Sequence, residues 1–134
     1  MFAVNRAARR FNSFVGQALA ADDLSFLEGL VLVAIVLESP RQIKPSQLAE
    51  TFATTRANIS HSLSSLEAKG LLQRRIDPED ARAYLLTLKP AGRKCAMRVI
   101  RAHDRMQAAF EKEVGKTALA ETLKVIRALE TLAG

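Results

Sequence analysis

Pro45-Ser46-Gln47-Leu48-Ala49-Glu50-Thr51-Phe52 and the segment from Thr54 to Lys69 carry two short helical patterns in immediate succession. Gly70 ends the second, and Leu71 to Ile76 and Ala83 to Leu88 then read as the two strands of a hairpin. Its tip is Asp77-Pro78-Glu79-Asp80-Ala81-Arg82, where the Asp-Pro pair favours a turn. Two helices followed by such a hairpin form a winged helix-turn-helix, a device that sets one helix in a DNA major groove. The expected fold class is mainly α with a small β wing.

On either side the pattern is helical. Ala7, Phe11, Phe14, Val15, Ala18 and Leu19 recur at helical spacing, and Asp22-Asp23 interrupts them. Ser25 is the predicted N-cap of a helix running through Leu37, apolar on nearly every side and therefore expected at the centre of the domain. Ser39-Pro40 ends it, because the residue before proline is pushed out of the helical region. After the wing, Pro90 suits a first helical turn, and Cys95, Val99, Ala102, Met106, Phe110 and Val114 mark a helix of about 24 residues. Gly115 closes it, and Thr117 is the predicted cap of a last helix carrying Leu119, Leu123, Ile126, Leu129 and Leu132.

This divides one structural domain into an N-terminal helix (1–22), a winged helix-turn-helix lobe (23–89) and C-terminal helices (90–134). The apolar stripes of the terminal helices need cover. Either they fold back on their own core or a second copy covers them; the second is the expectation, with the N- and C-terminal helices forming a dimerisation region and the protein a homodimer. Two recognition helices would then address half-sites about one helical turn apart.

The 134 residues suffice for one domain with a real core. Hydrophobic residues make up 49% and aromatics 5%, so the core must come mainly from Leu, Ala, Val and Ile. Twenty Lys and Arg against fourteen Asp and Glu leave a net charge of +6. Such an excess favours a polyanion, since each neutralised phosphate releases condensed counterions. Charge alone does not separate DNA from RNA or an anionic membrane. The longest apolar run, Leu30 to Leu37, is far short of the roughly 20 residues a spanning helix needs. Arg6, Arg9 and Arg10 break up the only segment resembling a signal peptide. With a single cysteine there is no intrachain disulfide, and the expectation is a cytoplasmic protein without membrane contact.

On the helix from Thr54 to Lys69, take Ile59 as the inward reference. At about 100° per residue, Leu63 and Leu66 share its face. Ala57, Ser60, His61 and Ser64 then point away, with Asn58 and Ser65 on the flank. Such a small, polar side, almost free of negative charge until Glu67, suits close approach to another surface. Asn, Ser and His can hydrogen-bond base edges or phosphates. Thr54, Thr55 and Arg56 begin the helix, where backbone N–H groups and the macrodipole favour a phosphate, and either threonine serves equally as an N-cap. In the wing, Arg82 is placed to enter a narrow minor groove, with Asp80 pairing with it to fix its direction. Arg74 and Arg75 are expected to reach the phosphate backbone or to pair with Asp77 and Glu79.

Other chemistry is poorly served. His61 and His103 lack Cys or carboxylate neighbours at ligand spacing, so neither a metal nor a cofactor is expected. Ser64, Ser65 and His61 have no orienting acid or oxyanion device, so no enzyme is expected. Cys95 lies at an apolar helical position, although Arg93, Lys94 and Arg98 are near enough in sequence to lower its pKa.

The run Leu66-Glu67-Ala68-Lys69-Gly70-Leu71-Leu72-Gln73-Arg74-Arg75, then Asp77-Pro78-Glu79-Asp80-Ala81-Arg82 and Leu86-Thr87-Leu88, closing at Gly92, resembles the MarR family of bacterial transcriptional regulators. The resemblance implies a homodimeric repressor, occasionally an activator, on a pseudo-palindromic operator. It implies that the helix Thr54–Lys69 enters the major groove, that Arg82 enters the minor groove and that Asp80 orients it. It also implies a small aromatic or phenolic effector, for which the sequence marks no pocket residues. Ala81 stands where the family often has a basic residue, and Lys89-Pro90 where a threonine commonly precedes the next helix.

Two other classes compete. A winged-helix protein-interaction module without DNA binding predicts an acidic or apolar outward face on the second helix. A membrane-surface or RNA-binding protein predicts that the Arg6–Arg10 cluster carries binding.

Overall fold

The computed structural model describes residues 2–133. The elements are α1 (Phe2–Ala20), α2 (Phe26–Glu38), α3 (Pro45–Thr51), α4 (Arg56–Ala68), β1 (Leu72–Asp77), β2 (Asp80–Leu88) and α5 (Pro90–Ala133). Helix α1 lies within the expected N-terminal helical segment 1–22 and is already helical at Phe2, ahead of the apolar periodicity that starts at Ala7. The described residues form two compact units divided after Ile100.

The first unit holds the core. Val15 and Leu19 of α1, Val31, Leu32 and Ile35 of α2, and Leu48 of α3 pack with Ile59, Leu63 and Leu66 of α4. Leu72 and Leu86 at the base of the wing and Cys95, Ala96 and Val99 of α5 complete the cluster. Each fully buried leucine contributes about 2 kcal/mol by leaving water. Ser25 caps α2 as expected, its hydroxyl accepting from the Glu28 N–H at 3.1 Å. Glu28 answers by accepting from the Ser25 N–H at 2.9 Å, a reciprocal capping box.

Glu28 also does something its position in an apolar helix conceals. It is buried, and its Oε2 lies 2.9 Å from Lys69 Nζ, at the end of α4. Lys69 Nζ donates to the Asp23 carbonyl as well. Burial pushes the Glu28 carboxyl up, but hydrogen bonds from the Ser65 hydroxyl, the Ser25 N–H and Lys69 outweigh it and hold the carboxyl below its ordinary range. One carboxylate therefore fastens the start of α2 to the end of α4.

The wing is an antiparallel pair whose register runs from Leu72↔Leu88 to Ile76↔Tyr84, then jumps to Asp77↔Asp80. Strand β2 begins at Asp80, three residues before the expected Ala83. Asp77 Oδ1 accepts from the Glu79 N–H at 2.9 Å, so the chain reverses within Pro78-Glu79. The surplus residues 81–83 then form a bulge on β2. Arg82 sits in that bulge rather than in the turn.

Gly115 breaks α5, as expected, with φ 80° and ψ 158°, giving helical runs 90–114 and 116–133. Thr117 lies inside the second run rather than at its cap. In the unit beyond Ile100, Phe110, Val114, Leu123, Ile126 and Leu129 are all exposed.

Candidate nucleic-acid interface

Thr55 is the N-cap of α4, its Oγ1 accepting from the Asn58 N–H at 3.1 Å. Thr54 takes a different part, accepting from Asn58 Nδ2 at 3.0 Å. These bonds tie Asn58 to the start of the helix. Beyond them, Ile59, Leu63 and Leu66 face the core, while Arg56, Ala57, Asn58, Ser60, His61 and Ser64 are exposed. Ser62, which the helical wheel left unassigned, is buried. The outward side of α4 is therefore small and polar, as its sequence predicts, and neither acidic nor apolar.

In the wing, Asp80 Oδ1 accepts from the Arg82 main-chain N–H at 3.0 Å. Asp80 thus fixes the backbone of Arg82, where a pairing with the guanidinium was expected. The Arg82 side chain is exposed. Arg75 is exposed too, with Nη2 3.5 Å from Gln73 Oε1.

Arg74 pairs with neither Asp77 nor Glu79. Its main-chain N–H donates to Glu67 Oε1 at 3.1 Å and its Nε to Glu67 Oε2 at 3.0 Å. Nη2 reaches Ser64 Oγ at 3.3 Å, and the guanidinium carbon lies 5.8 Å from the centroid of the Tyr84 ring. The backbone and then the side-chain bonds from Arg74 hold the Glu67 carboxyl below its ordinary range.

Between α4, the start of α3 and the wing lies an open groove of about 530 Å³. Lys44, Arg56, Arg74 and Arg82 line it with a single carboxylate, Asp80, and Ser60, Ser46 and Tyr84 add polar walls. Lys44, Ser46 and Tyr84 were not singled out from the sequence. No strand alternation ties Tyr84 to Arg82, because the bulge at 81–83 lies between them. Lys44 joins the site only because α3 is placed beside the wing.

Cys95 behaves differently from what its basic neighbours suggest. Burial, reinforced by the Asp22 carboxylate, pushes its thiol up. Arg98 Nη2 is 3.6 Å from Sγ and pulls the other way, but Arg98 is already paired with both oxygens of Asp22. Among the described residues no group of three or more His, Cys, Asp or Glu is gathered to hold a metal. No described helix is long and apolar enough to cross a membrane.

A three-helix core whose last helix presents a bare polar side, next to a two-stranded hairpin, defines the winged helix-turn-helix class. A family model for the MarR family matches residues 22–83, from the end of the first turn region into β2. Over that stretch the chain is similar to the MarR family. It is 28% identical over 130 residues to a protein of Bacillus subtilis named "Uncharacterized HTH-type transcriptional regulator YdcH", covering 92% of this chain and 88% of that one. The fold is similar to that of MepR from S. aureus in a MepR–DNA complex, with TM-score 0.86, 17% identity, and coverage of 97% of this chain and 95% of the other. It is also similar to the PcaV transcriptional regulator of Streptomyces coelicolor in complex with its natural ligand, with TM-score 0.74, 24% identity, and coverage of 97% and 93%.

Proposed function

We propose that this protein is a member of the MarR family and a sequence-specific transcriptional regulator, a repressor that binds a pseudo-palindromic operator as a homodimer in the cytoplasm. It is a regulator and not an enzyme, as its relatives are. The observation that carries the reading is the exposed polar side of α4 beside a groove lined by Lys44, Arg56 and Arg82. Asn58, Ser60, His61 and Ser64 read base edges in the major groove. Thr54, Thr55 and Arg56 meet a phosphate at the start of the helix. Arg82, its backbone steadied by Asp80, enters the minor groove, and Arg75 contacts the backbone of the duplex. The likeness of fold to MepR in its DNA complex supports this docking.

A small aromatic or phenolic effector releases the operator. The support for this is the likeness to PcaV, solved with its natural ligand. The homodimer is supported by the exposed apolar residues of α1 and of the run 116–133.

Selection of bound duplexes from a random DNA pool tests the whole reading. An enriched inverted repeat is the expected outcome, and enrichment of nothing, or of half-sites alone, refutes it.

A further inference from the structure

We propose that Arg74 is a positioning residue: together with Glu67 and Tyr84 it forms a bracket that sets the angle between α4 and the wing. The proposal rests on the DNA-binding reading above and refines it. Three elements meet on one side chain. Glu67 belongs to α4, Arg74 to β1 and Tyr84 to β2. The carboxylate of Glu67 accepts from both the main chain and the side chain of Arg74, with Nη2 2.8 Å from Oε2. The same guanidinium reaches back to Ser64 and stands over the ring of Tyr84. A planar fork can make these contacts together, while a point charge cannot.

The surroundings explain why a bracket is needed at this height. Leu72 and Leu86 anchor the base of the hairpin in the core. Beyond them Ile76 is 62% exposed and Tyr84 45% exposed, so no buried side chain holds the outer wing. The link from α4 to β1 passes through Gly70 in the left-handed region at φ 72°. Arg74 lies between the anchored base and the outer part that carries Arg82. Through it, the side of α4 offered to one groove and the arginine offered to the next keep a fixed separation.

A direct phosphate contact by Arg74 is the competing role, and the two differ in sign. Glu67→Gln removes a negative charge beside the DNA. If Arg74 contacts phosphate, that change leaves binding unaltered or tightens it. If Arg74 is the bracket, the same change weakens binding, by about tenfold for an indirect positioning effect. The charge contribution is screened by salt and the geometric one is not, so the measurement belongs at raised salt.

The test titrates wild type, Glu67→Gln and Arg74→Lys against an inverted-repeat duplex recovered by selection, over a range of salt concentrations. The expected result is that both variants bind about tenfold more weakly with unchanged salt slopes, since no phosphate contact is lost. Near-wild-type affinity for Arg74→Lys, tighter or equal binding by Glu67→Gln at raised salt, or a slope reduced by about 0.9, the value of one phosphate, overturns the bracket. Melting curves check the fold. Should either variant unfold, Tyr84→Leu removes one arm of the bracket at an exposed position and carries the same expectation. A wild type that binds no selected duplex overturns the DNA-binding reading and this inference with it; a wild type that binds while the variants match it overturns this inference alone.

Discussion

Arg82 concentrates the consequences of the bulge. Its side chain is exposed and makes no contribution to the core, while its main chain is fixed by Asp80. Arg82→Ala is therefore expected to leave the melting temperature unchanged and to weaken operator binding by about 1–3 kcal/mol, the value of a specific contact. Parallel calorimetry and a salt-matched titration separate the two. At this scale, what the sequence discloses is local. The outward set Ser60, His61 and Ser64 follows from counting around one helix, and the structure exposes all three. The partners of Arg74, Arg98 and Lys69 are not readable in that way. Arg74 finds Glu67 across seven residues, Lys69 finds Glu28 across 41 and Arg98 finds Asp22 across 76. Cys95 shows the effect: its basic sequence neighbours point one way, while the burial and the Asp22 carboxylate that fold brings to it point the other.

Elements are held by two contacts that their sequences do not advertise. Gly92 lies in the first turn of α5, where an added Cβ would meet the Leu71 carbonyl oxygen at 2.0 Å. That oxygen already accepts from the Lys89 N–H at 3.0 Å, so backbone and not a flexible side chain stands in the way. Gly92→Ala is expected to destabilise the protein by about 3 kcal/mol, read as a lower denaturant midpoint with an unchanged slope. Glu28 gives the acid response. Its carboxyl ionises below the ordinary range in the folded state, so its charge stabilises the fold at all pH values above that range. The contribution is lost as pH falls through the depressed value. Glu28→Gln should lower stability at neutral pH and flatten the acid limb of the stability profile; an acid limb identical to that of wild type would remove Glu28 as its source. The sequence narrows the cap of α4 to Thr54 or Thr55, of which the structure uses Thr55, and the cap at Ser25 and the stops at Gly70 and Gly115 were legible because they act within a turn or two. The start of β2 was not, because the two-residue reversal depends on an Asp77 side chain bond that no strand pattern encodes.

For the whole molecule, the open question of cover is carried by the terminal helices. Phe2 is 85% exposed, and Phe11 and Phe14 are exposed with it on α1. A chain lacking residues 2–14 keeps Val15 and Leu19, the two α1 side chains in the core. Sedimentation should therefore show a folded monomer in place of the proposed dimer; an intact dimer would move the interface elsewhere. Gly115 adds a last point about how such a helix changes over time. Apart from its chain neighbours and the backbone of its own helix, no described heavy atom lies within 4 Å of where its Cβ would be, so packing does not restrict this position. Only its backbone does: φ 80° with ψ 158° is a region almost confined to glycine, costing other residues about 1–3 kcal/mol. A single codon change therefore relaxes most cheaply by letting the hydrogen-bond ladder run straight through, fusing two rods into one and turning every apolar side chain downstream toward a new direction.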